Sequence, residues 1–369
     1  MKKRKPQLKP RVRHAFLEAL QASLWGRPIL PVLFDGLTRE DWEEIFVLSF
    51  HQTVEGHIAE AVGTLPDDLL PPHNLMLKWA VRLQRIEDRD QHMRNVVAQL
   101  GRLFQENGVR SILQKGHGVS LYYEKPHIRH GGDIDWYFPT KMGYLQANQL
   151  VDDPGRSYQV TSRHSSGYVF EGIEIEHHRK LVQLRNPLIT PYIDSLVADL
   201  QKENTTFEIQ GENIEIPAPL LNIIQVNAHI LKHQVTYGIG LRQLCDSARL
   251  YHCCRGSIQG EELRQIYGRL GILKWTHSFH KVLVELLDLN REDLPFEIEG
   301  EPDVEWMKEY ILRTGNFGFY DPENPDIEKP GGRVNRGERL LANFRNFYPL
   351  APVETICFPF VHLYNKVLS

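Results

Sequence analysis

The sequence predicts an α+β protein in which an α/β core is flanked by N- and C-terminal helical regions. Three observations lead there. Apolar residues recur at helical spacing before residue 104 and after residue 220. Between those limits, short apolar strand candidates alternate with helical stretches. Asn107-Gly108 on one side, and Pro217 with Pro219 on the other, mark the changes of texture. A chain of 369 residues is long enough for two or three domains, and these breaks divide it into 1–104, 105–217 and 218–369.

Hydrophobic residues at 41% and charged residues at 24% are values of a folded globular chain, which excludes wholesale disorder. A formal net charge of -4 argues against a surface built throughout for nucleic acid. The cysteines, Cys245, Cys253, Cys254 and Cys357, form neither CxxC pairs nor a disulfide framework and read as reduced thiols. There is no run of about 18 apolar residues and no signal-peptide stretch, so no membrane span is expected and the cytoplasm is the expected location.

The elements follow in order. Met1 to His14 carry Lys2, Lys3, Arg4, Lys5, Lys9, Arg11 and Arg13 without an acid, a basic tail that is either a solvated arm or a nucleic-acid or membrane contact. From Ala15 to Leu103 the pattern is helical, with apolar positions at Ile45, Phe46, Leu48, Ile58 and Val62, then Leu75, Trp79, Val81 and Leu83, then Val96, Val97, Leu100 and Phe104. Pro31, Pro66, Pro71 and Pro72 divide it into separate helices. Val109 to Leu113 reads as a strand ending at Lys115-Gly116-His117-Gly118, and Val119 to Tyr123 as the start of a helix. A loop, Glu124 to Gly132, leads to the strand Asp133-Ile134-Asp135. A helix around Tyr144 to Val151 precedes two strands, Ser166 to Phe170 and Gly172 to His177. Thr206 to Ile209 and Asn213 to Ile216, turning at Gly211, form a hairpin. Beyond it lie an apolar helix from Leu220 to Leu231, a helical stretch through Leu241, Leu244, Ala248 and Leu250, and helices at Glu261 to Leu270, Trp275 to Leu287 and Glu338 to Phe347. Asp321 to Gly337 is a loop.

The chemistry concentrates at Asp133 and Asp135. On a strand, residues two apart face the same side, so both carboxylates project together while Ile134 faces the core. Adjacent like charges repel, which makes a cation site the first hypothesis, but the pair alone reads as readily as an exposed acidic face; its flanks decide for the cation site. Upstream, Gly116 lets the backbone approach a phosphate at the start of a helix. Downstream, Glu174 and Glu176 share a face of another strand. His229 and His233 have the i, i+4 spacing that can bind zinc, but no Glu follows the first and no third ligand is evident, so they read as core or substrate-facing. His177 and His178 read as strand histidines. Asp246 in an apolar helix needs a partner, through an ion pair or the acceptor.

These residues resemble the nucleotidyltransferase superfamily of the DNA polymerase β fold, and within it a bacterial family of uncharacterised nucleotidyltransferases. The resemblance rests on Leu113-Gln114-Lys115-Gly116, Leu121-Tyr122-Tyr123, Arg129 and Gly132-Asp133-Ile134-Asp135-Trp136. Glu176-His177-His178, His229 and the helical stretch from Leu231-Lys232-His233 through Leu244-Cys245-Asp246 complete it. It implies a mixed sheet with helices, and a Mg2+- or Mn2+-dependent transfer of a nucleoside monophosphate from NTP to an acceptor hydroxyl, releasing pyrophosphate. By the same resemblance Asp133 and Asp135 bind the metal, and Glu176 completes the site as ligand and base, with Glu174 the alternative third acid. Gly116 and the backbone after it hold phosphates, and Lys115 or Arg129 offsets their charge. The family's glycine is usually followed by Ser or Gly. Here His117 follows, which leaves Gly118 or Ser120 to take that contact. The acceptor is a small molecule, a saccharide, a protein or RNA. Two rival readings are a non-catalytic relative that binds nucleotide or a partner, and a nucleic-acid-binding protein using the basic tail.

Overall fold

The computed structural model describes residues 8–152, 159–162, 164–321 and 343–368. The expected loop from Asp321 to Gly337, the start of the helix at Glu338 and the lysines of the N-terminal tail therefore lie outside the described residues, apart from Lys9 and Asp321. The protein is mostly helical, with one small mixed sheet and a separate hairpin. This is an α+β fold.

Helices α1 (Pro10–Leu24), α2 (Arg39–His51) and α3 (Glu55–Val62) come first. Pro10 suits the first turn of α1, where no N–H is needed. The expected basic tail is thus shorter than its run of charge: Arg11 pairs with Asp41, and Arg13 with Glu309. At α2, Thr38 and Asp41 form a reciprocal capping box. Helix α4 (His73–Glu106) is a single element of 34 residues, where the sequence suggested two stretches. Pro71 and Pro72 precede it and no proline interrupts it, so nothing stops the helix between them.

The sheet contains β1 (Ile112–Gln114), β2 (Ile134–Tyr137), β3 (Gln159–Ser162), β4 (Ser165–Phe170) and β5 (Ile173–His178), in the order β1-β2-β5-β4-β3. Only β2 and β5 run parallel; the other neighbours are antiparallel. Helix α5 (Lys115–Ser120) follows β1 directly, so strand and helix both sit a few residues away from their expected positions. The expected strand begins late because Val109 still bonds back to Phe104 at the end of α4. Helix α6 (Lys141–Val151) leads into β3, which the sequence pattern did not signal. Next come α7 (Thr190–Leu200), also unsignalled, and the hairpin β6 (Thr205–Ile209) and β7 (Glu212–Ile216). Its turn places Gln210 and Gly211 at positive φ. Gly101 of α4 makes room for it: a Cβ there would lie 2.4 Å from Ile214.

Strand parity divides the sheet into two faces. One buries Leu113, Ile134, Trp136, Ile173 and Ile175 with Met93, Val96, Val97, Leu100 and Phe104 of α4. Each large side chain so buried contributes about 1.5–3 kcal/mol. The opposite face carries Gln114, Asp135, Glu176 and His178. Helix α8 (Pro219–Thr236) covers that face, and its Gln225 bonds Gln114 of β1.

Further helices are α9 (Leu241–Cys253), α10 (Gly260–Leu270), α11 (Leu273–Leu287), α12 (Glu305–Thr314) and a terminal helix, Pro352–Leu368, and residues 343–347, the described end of the helix expected at Glu338 to Phe347, are helical as well. One hydrophobic core joins α1, α2 and α3 to α8 through α12. Gln52 pins the junction, donating to the carbonyls of Ile311 and Leu312 while accepting from the Leu241 amide. Among the described residues no helix is long and apolar enough to cross a membrane.

Candidate metal centre and cleft

A cleft of about 210 Å³ opens between the polar face of the sheet and helices α8 and α9. Lys115, Gly116, Asp133, Asp135 and Glu176 line its sheet side; His229, His233, Arg242 and Asp246 line the helical side. The parallel pairing sets Asp135 directly opposite Glu176, and the antiparallel pairing sets Gln114 opposite Asp135. Register alone therefore brings the acids to the end of β1, where the glycine turn begins.

The turn is shaped for this meeting. Lys115 adopts φ +46°, a left-handed conformation unusual for lysine, and its ammonium lies 3.0 Å from Asp135 Oδ1. Gly116 backs onto Asp133: a Cβ would stand 3.4 Å from the Asp133 carbonyl oxygen. The loop before Asp133 is clamped from α4, where Arg89 donates to the carbonyls of Gly131 and Gly132 at 3.3 and 2.7 Å.

Electrostatics separate the acids. Burial opposes the charge of Asp135, but Lys115 and His178 outweigh it and hold this carboxyl well below the usual range. His178 Nε2 lies 2.6 Å from Asp135 Oδ1 and 3.2 Å from Glu176 Oε2. Asp133 goes the other way, pushed up to about 6, first by the charge of Asp135 and then by burial. Burial works against the Lys115 ammonium, yet Asp135, Asp133 and Glu176 raise its pKa above the ordinary value. Asp135, Glu176 and His178 bring ligand atoms within 4.8 Å of one another, a set that could hold a metal ion. Glu174 is exposed and does not line the cleft, so the two candidate third acids separate by position.

Three expected phosphate contacts do not reach the cleft. His117 is buried, with Nδ1 3.8 Å from Asp90, and burial lowers its pKa to about 4. Ser120 Oγ donates to the His117 carbonyl, and Gly118 faces β1, where a Cβ would lie 3.1 Å from the Leu113 oxygen. The physical reason is the early start of α5, which turns His117 toward α4, Gly118 toward β1 and Ser120 back onto its own helix. Arg129 does line the cleft, but Nε and Nη2 are held by Asp246 at 2.7 Å each, and Tyr123 donates to the same acid. That acid has found the ion-pair partner its burial demands.

The helical wall was less legible. His229 and His233, flagged by their spacing and included in the resemblance, stack edge to face at 4.3 Å on the helical wall, and His233 also meets Phe317 at 4.9 Å. Lys232, beside them, is lowered to about 8 by burial and by Lys115 and Arg185. Arg242 carried no motif. It lies within the helical stretch that carries the resemblance, in the first turn of a helix after Gly238 and Gly240, but nothing singled it out there.

A family model described as uncharacterised nucleotidyltransferase matches residues 38–288. The chain belongs to this family. In this nucleotidyltransferase family member the matched span runs from just before α2 to the end of α11 and holds every cleft residue named above except Phe317. Comparison with curated proteins and with solved structures finds no match.

Proposed function

We propose that this protein is a metal-dependent nucleotidyltransferase of the polymerase β-like type. It would move a nucleoside monophosphate from NTP to an acceptor hydroxyl and release pyrophosphate. The observation that carries the reading is the convergence of Asp133, Asp135 and Glu176 on one cleft beside Lys115-Gly116. In this reading residues 105–217 are the catalytic core, and 1–104 and 218–369 supply the helical regions around it.

The donor set suits a hard divalent cation, since it is built of carboxylate oxygens with one imidazole at its edge. The upward shift of Asp133 supports the same conclusion: two carboxylates here cannot both ionise comfortably without added positive charge. Asp133, Asp135 and Glu176 would hold Mg2+ or Mn2+, which when bound supplies charge neutralisation at the reacting phosphate and acidifies the acceptor hydroxyl. The side chain of Glu176 is 38% exposed against 4% for Asp135, so it is the acid open to an incoming hydroxyl. It takes the acceptor proton as the acceptor oxygen bonds to the α-phosphorus. The bond from that phosphorus to the bridging oxygen breaks, and pyrophosphate leaves with its charge offset by Lys115.

A specific observation favours a second reading, a non-catalytic relative that binds nucleotide or a partner. His117 and Ser120 are turned away from the cleft, which leaves no hydroxyl at the phosphate turn. For the nucleic-acid reading, the described part of the tail shows Lys9 and Arg11 paired with Asp41 and Arg13 with Glu309. The deciding experiment incubates the protein with labelled NTPs, metal and a host lysate. Label should move to an acceptor, and Asp133→Asn and Asp135→Asn should stop it. Metal-dependent NTP binding without turnover supports the non-catalytic relative, and unchanged nucleotide affinity in both variants removes the site altogether.

A further inference from the structure

Phe317 brings an aromatic ring to the cleft from outside the span that the family model matches. Its backbone is left-handed, with φ 50° and ψ 21°, a conformation that a bulky side chain adopts only when its surroundings impose it. Here they do. Gly315 and Gly318, on either side, are also at positive φ, and a Cβ on Gly315 would lie 2.7 Å from the His51 carbonyl oxygen. Asn316 accepts from Gln243 Nε2 at 2.8 Å and packs on Gly240, where a Cβ would stand 3.0 Å from the Asn316 Cα. The turn is thereby fixed to the start of α9.

Core packing does not offset that strain. Phe317 is half-buried and belongs to neither hydrophobic core. Its ring neighbours are the cleft residue His233 at 4.9 Å and Phe319 at 6.2 Å. His229 and Ile230 continue the wall along α8, so this end of it is apolar and aromatic, whereas the sheet side of the cleft is charged. The two parts lie well apart. Gln225 of α8 bonds Gln114, the residue before Lys115-Gly116, and His233 stands eight residues further along the same helix, roughly 12 Å at the α-helical rise. A ligand complementary to the whole cleft is anionic at one end and carries a flat ring at the other.

Resting on the nucleotidyltransferase reading, we infer that Phe317, beside His233, stacks on the nucleobase of the NTP. Every base has a π-face, so a stacking residue adds affinity without reading the base edge. The constrained turn holds the ring in the cleft before the nucleotide arrives, and the ordering cost on binding falls accordingly.

The test titrates the full chain calorimetrically, in Mg2+, with ATP, CTP, GTP and UTP and with inorganic tripolyphosphate, which has the phosphates and no base. The tightest NTP should bind the wild type about tenfold or more tighter than tripolyphosphate does. Phe317→Ala and Phe317→Leu should each weaken that NTP by about tenfold, with tripolyphosphate affinity held within about twofold. Phe317→Tyr, which keeps the aromatic face, should retain most of the NTP affinity. Circular dichroism and thermal melts confirm that the variants fold. Leucine fills the space of the ring without its π-face, so wild-type NTP affinity in Phe317→Leu would reduce Phe317 to packing and overturn the proposal. Equal loss of NTP and tripolyphosphate affinity in Phe317→Ala would overturn it as well. If the wild type binds neither ligand, the nucleotidyltransferase reading itself fails; tripolyphosphate binding with no gain from the base removes only the stacking role.

Discussion

Arg129 holds Asp246 through two parallel hydrogen bonds, Nε to Oδ1 and Nη2 to Oδ2, each 2.7 Å long. Both side chains are largely buried, and the pair ties the loop before β2 to helix α9. Removing one partner strands a buried charge, so Asp246→Asn and Arg129→Met should each lower stability by about 3–5 kcal/mol in urea unfolding. If Arg129 served a phosphate instead, Arg129→Met would weaken NTP binding with little change in the unfolding midpoint.

Within the metal centre the carboxylates should separate by position. Asp133→Asn, Asp135→Asn and Glu176→Gln should each weaken Mg2+- or Mn2+-dependent NTP binding by about 10–100-fold, the range for lost ligand-shell contacts. Glu174→Gln should leave it unchanged, since that side chain points to solvent. Calorimetric titration of the four variants reads the pattern, and an equal loss at 174 and 176 would contradict the register described for β5.

The loop that carries Asp133 depends on Arg89. Replacing it with methionine should weaken metal binding by about tenfold while the far-ultraviolet circular dichroism stays native, because the carbonyl clamp lies outside the two cores. Unaltered metal affinity in Arg89→Met would show that the loop holds its shape unaided.

Acid should unfold the protein well above the carboxylate range. Burial lowers the pKa of His57 and His117 to about 4, and that of His177 and His280 to about 3, against 6.5 in the unfolded chain. Between these values the unfolded state binds more protons, so stability rises with pH. Their contribution is complete above pH 6.5 and is lost as pH falls toward 4, by about 1.4 kcal/mol per pH unit for each histidine. Unfolding followed from pH 7.5 to 4 should show this slope, and His280→Gln should reduce it.

Gly56 of α3 lies flat against the carbonyl of Ile128, where a Cβ would come within 2.0 Å of the oxygen. Gly56→Ala must push α3 away from the loop that carries Arg129, at a cost of about 1–3 kcal/mol or more. A lowered denaturation midpoint with unchanged slope is the expected result. Wild-type stability in this variant would mean that the helix and loop separate freely.

The sheet side of the site was readable in the sequence because it is local. Asp133 and Asp135 share a face by strand parity, and the glycine turn and third acid lie on the neighbouring strands, within 65 residues of one another. The hairpin at Gly211 was readable for the same reason. Arg242, Lys232 and the pairing of Arg129 with Asp246 were not, since packing of α8 and α9 over the sheet creates them. Alternation alone puts Glu174 and Glu176 on one face; the resemblance favoured Glu176, and the register sets it opposite Asp135. That His117, Gly118 and Ser120 all turn away from the cleft was not legible either, because α5 begins earlier than the apolar pattern suggests.

The core shared by the first and last thirds of the chain bears on how the protein is made. Trp25 of the segment after α1 donates to the carbonyl of Leu287, 262 residues later, and Gln21 donates to Leu286. During translation the N-terminal helices leave the ribosome long before α11 exists to cap them. Their apolar surface must stay in solution, or in the hands of a chaperone, until nearly four-fifths of the sequence has been synthesised. A nascent chain stalled before residue 273 would therefore be a target for proteases, however complete its acidic cleft.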